Sequence, residues 1–152
     1  DLVAGEDRVE PLDRRRDAAA IRDCLAVANP DTSAHPDQPS SWFGVRARRG
    51  HLLGVVSARA EGGPRADVES WHLQGLAVLP EERGAGLGTA LTAAVMRAGL
   101  ERRGLADAGS WVSLGMYADN DPARRVYDRL GFRVHAEGTT FGAANRAADR
   151  SE

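Results

Sequence analysis

From Leu76 to Ala90 the chain reads Leu-Ala-Val-Leu-Pro-Glu-Glu-Arg-Gly-Ala-Gly-Leu-Gly-Thr-Ala, with Gly84, Gly86 and Gly88 two residues apart. Glycine carries no Cβ, so closely spaced glycines let backbone N–H groups face outward and let a ligand approach them. A helical pattern follows at once, with Leu87, Leu91, Ala94, Val95 and Ala98 at spacings of three and four. Unpaired amides at a helix start, the positive end of the helix dipole and the charge of Arg83 together suit a phosphate or pyrophosphate. Spacing then selects among phosphate ligands. A nucleotide-triphosphate loop needs Gly-Lys before Ser or Thr, and the chain contains no lysine. A dinucleotide fingerprint needs Gly-x-Gly-x-x-Gly and an acidic strand end about twenty residues later, and residues 105–109 do not read as such a strand. A tight strand-to-helix turn without a ligand uses the same residues, so a second signal is needed.

That signal is Asn120-Asp121-Pro122-Ala123-Arg124-Arg125-Val126-Tyr127-Asp128-Arg129-Leu130-Gly131-Phe132. Asn120 or Asp121 can accept a first-turn N–H, Pro122 suits an early helical position, and Gly131 ends the helix. Ala123, Val126, Tyr127 and Leu130 then share one face. Arg83 to Gly88 fits Arg/Gln-x-x-Gly-x-Gly/Ala, and residues 120–132 fit Asn-x-x-Ala-x-x-x-Tyr-x-x-x-Gly-Phe at every named position. With both segments in this order, the chain resembles the GNAT superfamily of N-acyltransferases over about residues 8 to 142.

The resemblance implies an acetyl-CoA-dependent N-acetyltransferase of the direct-attack kind, with acetyl-CoA as co-substrate, an amine as acceptor and no metal. It implies coenzyme contacts from Leu76, Ala77 and Val78 on the strand, and from Arg83, Gly84, Ala85, Gly86, Leu87, Gly88 and Thr89 at the turn. Asn120, Ala123 and Tyr127 complete that set. Tyr127 holds the position where the family keeps the acid that protonates the departing thiolate. Eleven residues before Arg83, where many relatives carry a glutamate, this chain has His72. A histidine suits the task of base, because an unperturbed imidazole is mostly neutral at physiological pH. Glu69 is the alternative base; period-two alternation sets it on the opposite strand face unless a bulge intervenes. A non-catalytic acyl-CoA-sensing module and a transferase using another acyl donor keep the same motifs. A plain interaction domain leaves both motifs without explanation.

The positioning elements follow. Arg8 to Leu12 is a weak strand, and a helix runs from Asp13 to Ala28 with Ala18, Ile21, Cys24, Leu25 and Ala28 on one face and a solvated arginine cluster on the other. Asn29 to Ser41, with three prolines, is a loop; in GNAT folds it overhangs the acceptor, which makes His35, Asp37 and Trp42 candidate contacts. Trp42 to Arg48 and Leu52 to Ala60 form a hairpin around Arg49-Gly50-His51, and Asp67 to Val78 is the strand that leads to the glycines. Trp111 to Tyr117 is one further strand, and Phe132 to Ala136 with Thr139 to Gly142 read as a closing hairpin. The fold class expected is α/β (α+β): a GNAT-like mixed, mainly antiparallel sheet with helices on both faces and a splay between the fourth and fifth strands. The chain is read as one domain, residues 1–152, with a polar tail at 143–152.

At 152 residues and a net charge of -2, the chain lacks the bulk basicity of a nucleic-acid binder. No apolar stretch approaches the roughly twenty residues of a membrane span, and the N-terminus lacks a signal-peptide core, so a cytoplasmic protein is expected. A homodimer is left open. Beginning at Asp1, the sequence reads as a trimmed chain or a fragment. Cys24 cannot form an internal disulfide and reads as a core side chain.

Overall fold

In the computed structural model Leu52 to Ala58 are all buried, the pattern of a central strand covered on both faces. Residues 2–62, 69–103, 111–114, 116–117, 121–131, 137–141 and 147–151 are described, and they fall into two compact units, Asp1–Val112 and Ser113–Glu152.

The first unit is built on β1 (Glu10–Leu12), β2 (Ser41–Arg46), β3 (Leu52–Gly62) and β4 (Glu69–Val78), antiparallel neighbours in that order. β5 (Trp111–Leu114) stands beside β4 in the sheet order. Two helices, α1 (Ala18–Ala28) and α2 (Leu87–Arg103), pack on β3 and β4. The apolar stripe of α1 buries Ile21, Cys24 and Leu25, each worth up to about 3 kcal/mol if large and fully buried. Burial pushes the Cys24 thiol up to about 11, so it stays neutral at physiological pH and is not a thiolate nucleophile. Asp13 precedes a turn and not the helix itself: its carboxylate accepts the N–H groups of Arg15 and Arg16, both at 2.9 Å. Arg46 ties three segments, bonding Glu10 at 2.5 Å, Asp17 at 2.8 Å and the Gly50 carbonyl at 3.1 Å.

Trp71 on β4 fixes the seat of α2. Its indole N–H donates to Val95 O at 3.1 Å, and a Cβ at Gly99 would overlap its ring. Gly99→Ala gains at most about 1 kcal/mol of helix propensity, against roughly 1–3 kcal/mol for forcing a methyl into a packed ring. The variant is therefore expected to unfold at lower denaturant concentration than the wild type. A midpoint that rose would show that the ring yields.

The second unit holds β6 (Met116–Tyr117), α3 (Asp121–Arg129), β7 (Glu137–Phe141) and β8 (Ala147–Ser151), the strands ordered β6-β8-β7 and antiparallel. Two expectations are corrected here. Trp111 to Tyr117 is not one strand, because β5 and β6 lie in different sheets. Ala147–Ser151, read as tail, is β8 and pairs with both β7 and β6; its alanine-rich, polar composition hides a strand whose partners lie elsewhere in sequence. Asn120 and residues 132–136 lie outside the described residues. Among the described residues no helix is long and apolar enough to cross a membrane, and no cluster of side chains could hold a metal ion.

Candidate active site

After β4 the chain makes a 3-10 turn at Pro80–Glu82 and then the glycine turn. Gly84 and Gly86 have φ of 82° and 85°, a left-handed conformation that side-chain-bearing residues adopt at a cost. A Cβ at either would meet nothing within 4 Å, so the surroundings are open and backbone geometry is what demands glycine. The Ala90 N–H makes the first helical bond, to Gly86 O at 3.0 Å. The N–H groups of Leu87, Gly88 and Thr89 therefore precede the first donor with an intrahelical acceptor. Three amides at the positive end of a seventeen-residue helix form an anion-binding start.

Arg83 is committed to the backbone. Its Nε donates to Val78 O and its NH2 to Ala28 O, each at 3.0 Å, which fastens the end of β4 to the end of α1. Arg83→Ala is expected to cost on the order of 1 kcal/mol of stability, since both bonds are exposed. A melting temperature unchanged from wild type would remove that clamp from the account.

Val78 presents its amide toward the side of β4 away from β3. The Leu79 N–H donates to Leu53 O at 2.9 Å around the Val78–Gly54 pair. This is the wide type of antiparallel pair, whose N–H and C=O groups point away from the partner strand. Between Ser57–Gln74 and Val55–Ala77 the register shifts, so Gly75 and Leu76 oppose Val56 alone as a β-bulge. Gly75 has φ of 67°, and a Cβ there would come within 2.6 Å of the Ala34 Cβ. The bulge is held from two sides: Asn29 Nδ2 donates to Leu76 O at 3.2 Å and Ser57 Oγ to Gln74 O at 3.0 Å.

His72 sits opposite Arg59 and Glu69 opposite Gly62, with unbroken register between them. The bulge lies after both, so the two positions alternate to opposite faces of β4. His72 is half-buried. Of the loop residues, Trp42 is 1% exposed and belongs to the core. Asp37 pairs with Arg22 at 2.5 Å, and His35 is exposed.

In the second unit α3 ends as expected: the Leu130 N–H bonds Val126 O and Tyr127 O, and Gly131 follows with φ of 90°. Tyr127 is buried, and burial pushes its phenol up to about 12. It therefore keeps its proton throughout the neutral range, as a donor must.

Sequence reasoning missed the bulge, the Asn29 and Ser57 side chains that hold it, and the committed Arg83. Gly75 was the available signal, an isolated glycine inside a strand pattern.

The profile of the acetyltransferase (GNAT) family matches residues 8–132. The chain belongs to that family. It is 34% identical over 105 residues to the mycothiol acetyltransferase of Streptomyces coelicolor, covering 69% of this chain and 31% of that protein. A protein of the GNAT family from Novosphingobium aromaticivorans superimposes with a TM-score of 0.68 at 24% identity, covering 95% of this chain and 55% of that one. The chain thus spans about a third of the curated relative and about half of this structural one. Arabidopsis thaliana NAA60 in complex with acetyl-CoA superimposes with a TM-score of 0.67 at 16% identity, covering 94% of each chain. At these identities the superpositions show a shared GNAT fold.

Proposed function

We propose that the chain transfers the acetyl group of acetyl-CoA to a primary amine by direct attack. The observation that carries this reading is the start of α2, where two left-handed glycines in open surroundings precede three amides without intrahelical acceptors. Such a start takes the pyrophosphate of a coenzyme mainly through backbone N–H groups. The bound thioester of NAA60 and the mycothiol acetyltransferase likeness support acetyl-CoA as the donor.

Three tasks then fall to side chains and backbone. A primary amine of pKa about 10.4 is neutral in only about one molecule in a thousand near pH 7.4, a cost of about 4 kcal/mol. His72 takes the amine proton, directly or through one water. As the amine nitrogen bonds to the carbonyl carbon, negative charge grows on the carbonyl oxygen, and the outward amide of Val78 donates to it. The carbon–sulfur bond breaks, and Tyr127 gives its proton to the departing thiolate.

The test is a screen of amine acceptors with acetyl-CoA, following free thiol and acetylated amine together. Equal yields of both on some acceptor support transfer. Tight coenzyme binding with neither product on any acceptor identifies a sensing module instead, and activity with a longer acyl donor alone reassigns the donor. The base has its own test. The kcat/KM profile should show a low-pH limb that disappears in His72→Ala and moves to lower pH in His72→Glu, because a carboxylic acid gives up its proton at lower pH than an imidazolium. A limb unmoved in both variants would transfer the role to Glu69 or to water.

A further inference from the structure

Left-handed Gly75 sits between two β4 carbonyls that side chains hold: Ser57 Oγ donates to Gln74 O at 3.0 Å and Asn29 Nδ2 to Leu76 O at 3.2 Å. A bulge disrupts the ladder locally, and a carbonyl taken out of water needs a donor. Asn29 is fixed in place to supply one. It closes α1, with its own N–H donating to Leu25 O at 2.8 Å, and its carbonyl accepts the Thr32 N–H at 3.1 Å. Thr32 Oγ1 in turn accepts the Ala34 N–H at 3.1 Å. Ala34 is fully buried, and its Cβ would lie 2.6 Å from a Cβ at Gly75. The carbonyl that Asn29 holds belongs to the Leu76–Ala77 peptide, and the next peptide, Ala77–Val78, carries the Val78 N–H. Two planar peptides that share one residue differ in direction only through its φ and ψ, and that residue, Ala77, is 3% exposed.

We propose that Asn29 is a positioning residue for acetyl transfer: its bond to Leu76 O aims the Val78 amide at the carbonyl oxygen of the bound thioester. The inference rests on the acetyl-transfer reading above and adds to it a residue that acts through the backbone of β4. A bulge adds one residue to its strand, so it sets which amides beyond it face the partner strand and which face away. Holding the bulge keeps that phase, and holding the Leu76–Ala77 plane keeps the direction of the donor next to it. Direction matters because an oxyanion donor is effective only when it is aligned before the charge develops. A misplacement of about 1 Å can cost roughly a hundredfold in rate.

Infrared difference spectroscopy of bound acetyl-CoA, labelled with carbon-13 at its thioester carbonyl, reads that aim, since a donor on the oxygen weakens the carbonyl bond and lowers its stretching frequency. The wild-type complex should absorb below free acetyl-CoA. Asn29→Asp keeps the side-chain shape but has no donor at neutral pH; it should lose about half of the shift or more and about tenfold or more of kcat, while KM for acetyl-CoA stays near wild type. Asn29→Ala should lose less, because a carboxylate repels the Leu76 carbonyl and a methyl does not; a packing role predicts the opposite order, and that order would overturn the proposal. Ser57→Ala, a milder change on the other side of the bulge, should move both readouts in the same direction. Gly50→Val strains the β2–β3 turn at φ of 96° and controls for lost stability, so its kcat and carbonyl frequency should stay near wild type. A wild-type frequency in Asn29→Asp, whatever its kcat, overturns the positioning role and leaves acetyl transfer standing. A shift that depends on Asn29, with no amine acetylated, supports the positioning and overturns the transferase reading. No shift in the wild type overturns the positioning, and turnover then decides acetyl transfer by itself.

Discussion

Gly86→Val should weaken acetyl-CoA binding by roughly thirtyfold to a hundredfold, because two penalties act at the same position. Gly86 has φ of 85°, where a β-branched residue costs on the order of 1–3 kcal/mol of backbone strain. The surroundings are open, so the strain relaxes by shifting the turn, and that shift carries the Leu87 to Thr89 amides away from the pyrophosphate. The valine side chain also occupies the space through which a ligand reaches them. Gly50 supplies the control: it has φ of 96° at the β2–β3 turn, and a Cβ there also meets nothing within 4 Å. Gly50→Val should lower stability by a similar amount while coenzyme affinity stays near wild type. Isothermal titration of both variants with acetyl-CoA separates strain from binding. Equal affinity for Gly86→Val and wild type would detach the glycine turn from the coenzyme.

Tyr127→Phe should lower turnover by roughly a hundredfold or more while coenzyme affinity changes little. General acid catalysis contributes about 10² to 10⁴, and phenylalanine keeps the ring that fills the buried site on α3. Because burial pushes the phenol up to about 12, its proton remains available across the assay range. The variant should thus lose activity at every neutral pH and acquire no new limb. The size of the loss should also depend on the leaving group. A donor whose thiol is more acidic needs less protonation as it departs, so replacing acetyl-CoA by an acetyl ester of an aromatic thiol should narrow the gap between mutant and wild type. A loss equal for both donors would assign Tyr127 to packing, as would full activity in the variant.

Much of the fold was legible because its local signals agree. The β2–β3 hairpin, β4, the glycine turn, α2 and α3 all stand where apolar periodicity and turn residues place them. The failures share a physical cause. β8 carries no apolar alternation, and only its pairing with the neighbouring β7 and the distant β6 makes it a strand. The break between β5 and β6 falls inside an apolar run that looks continuous, because periodicity registers a side chain's polarity and not the sheet in which its backbone pairs. In the candidate site the glycines were legible, since no other residue tolerates φ near 85° so readily. The fate of Arg83 was not. A guanidinium beside a glycine loop reads as an anion ligand, and only the three-dimensional proximity of the Val78 and Ala28 carbonyls shows where its donors go.

The backbone amides at the start of α2 are expected to hold the coenzyme pyrophosphate. Amide hydrogen exchange, read residue by residue by NMR with and without acetyl-CoA, tests it most directly. The expected result is a slowing of at least about tenfold at Gly86, Leu87, Gly88 and Thr89, because donors without intrahelical acceptors exchange readily until a ligand accepts from them. Saturating acetyl-CoA that leaves those four amides unprotected, while slowing exchange elsewhere in the chain, would contradict the account.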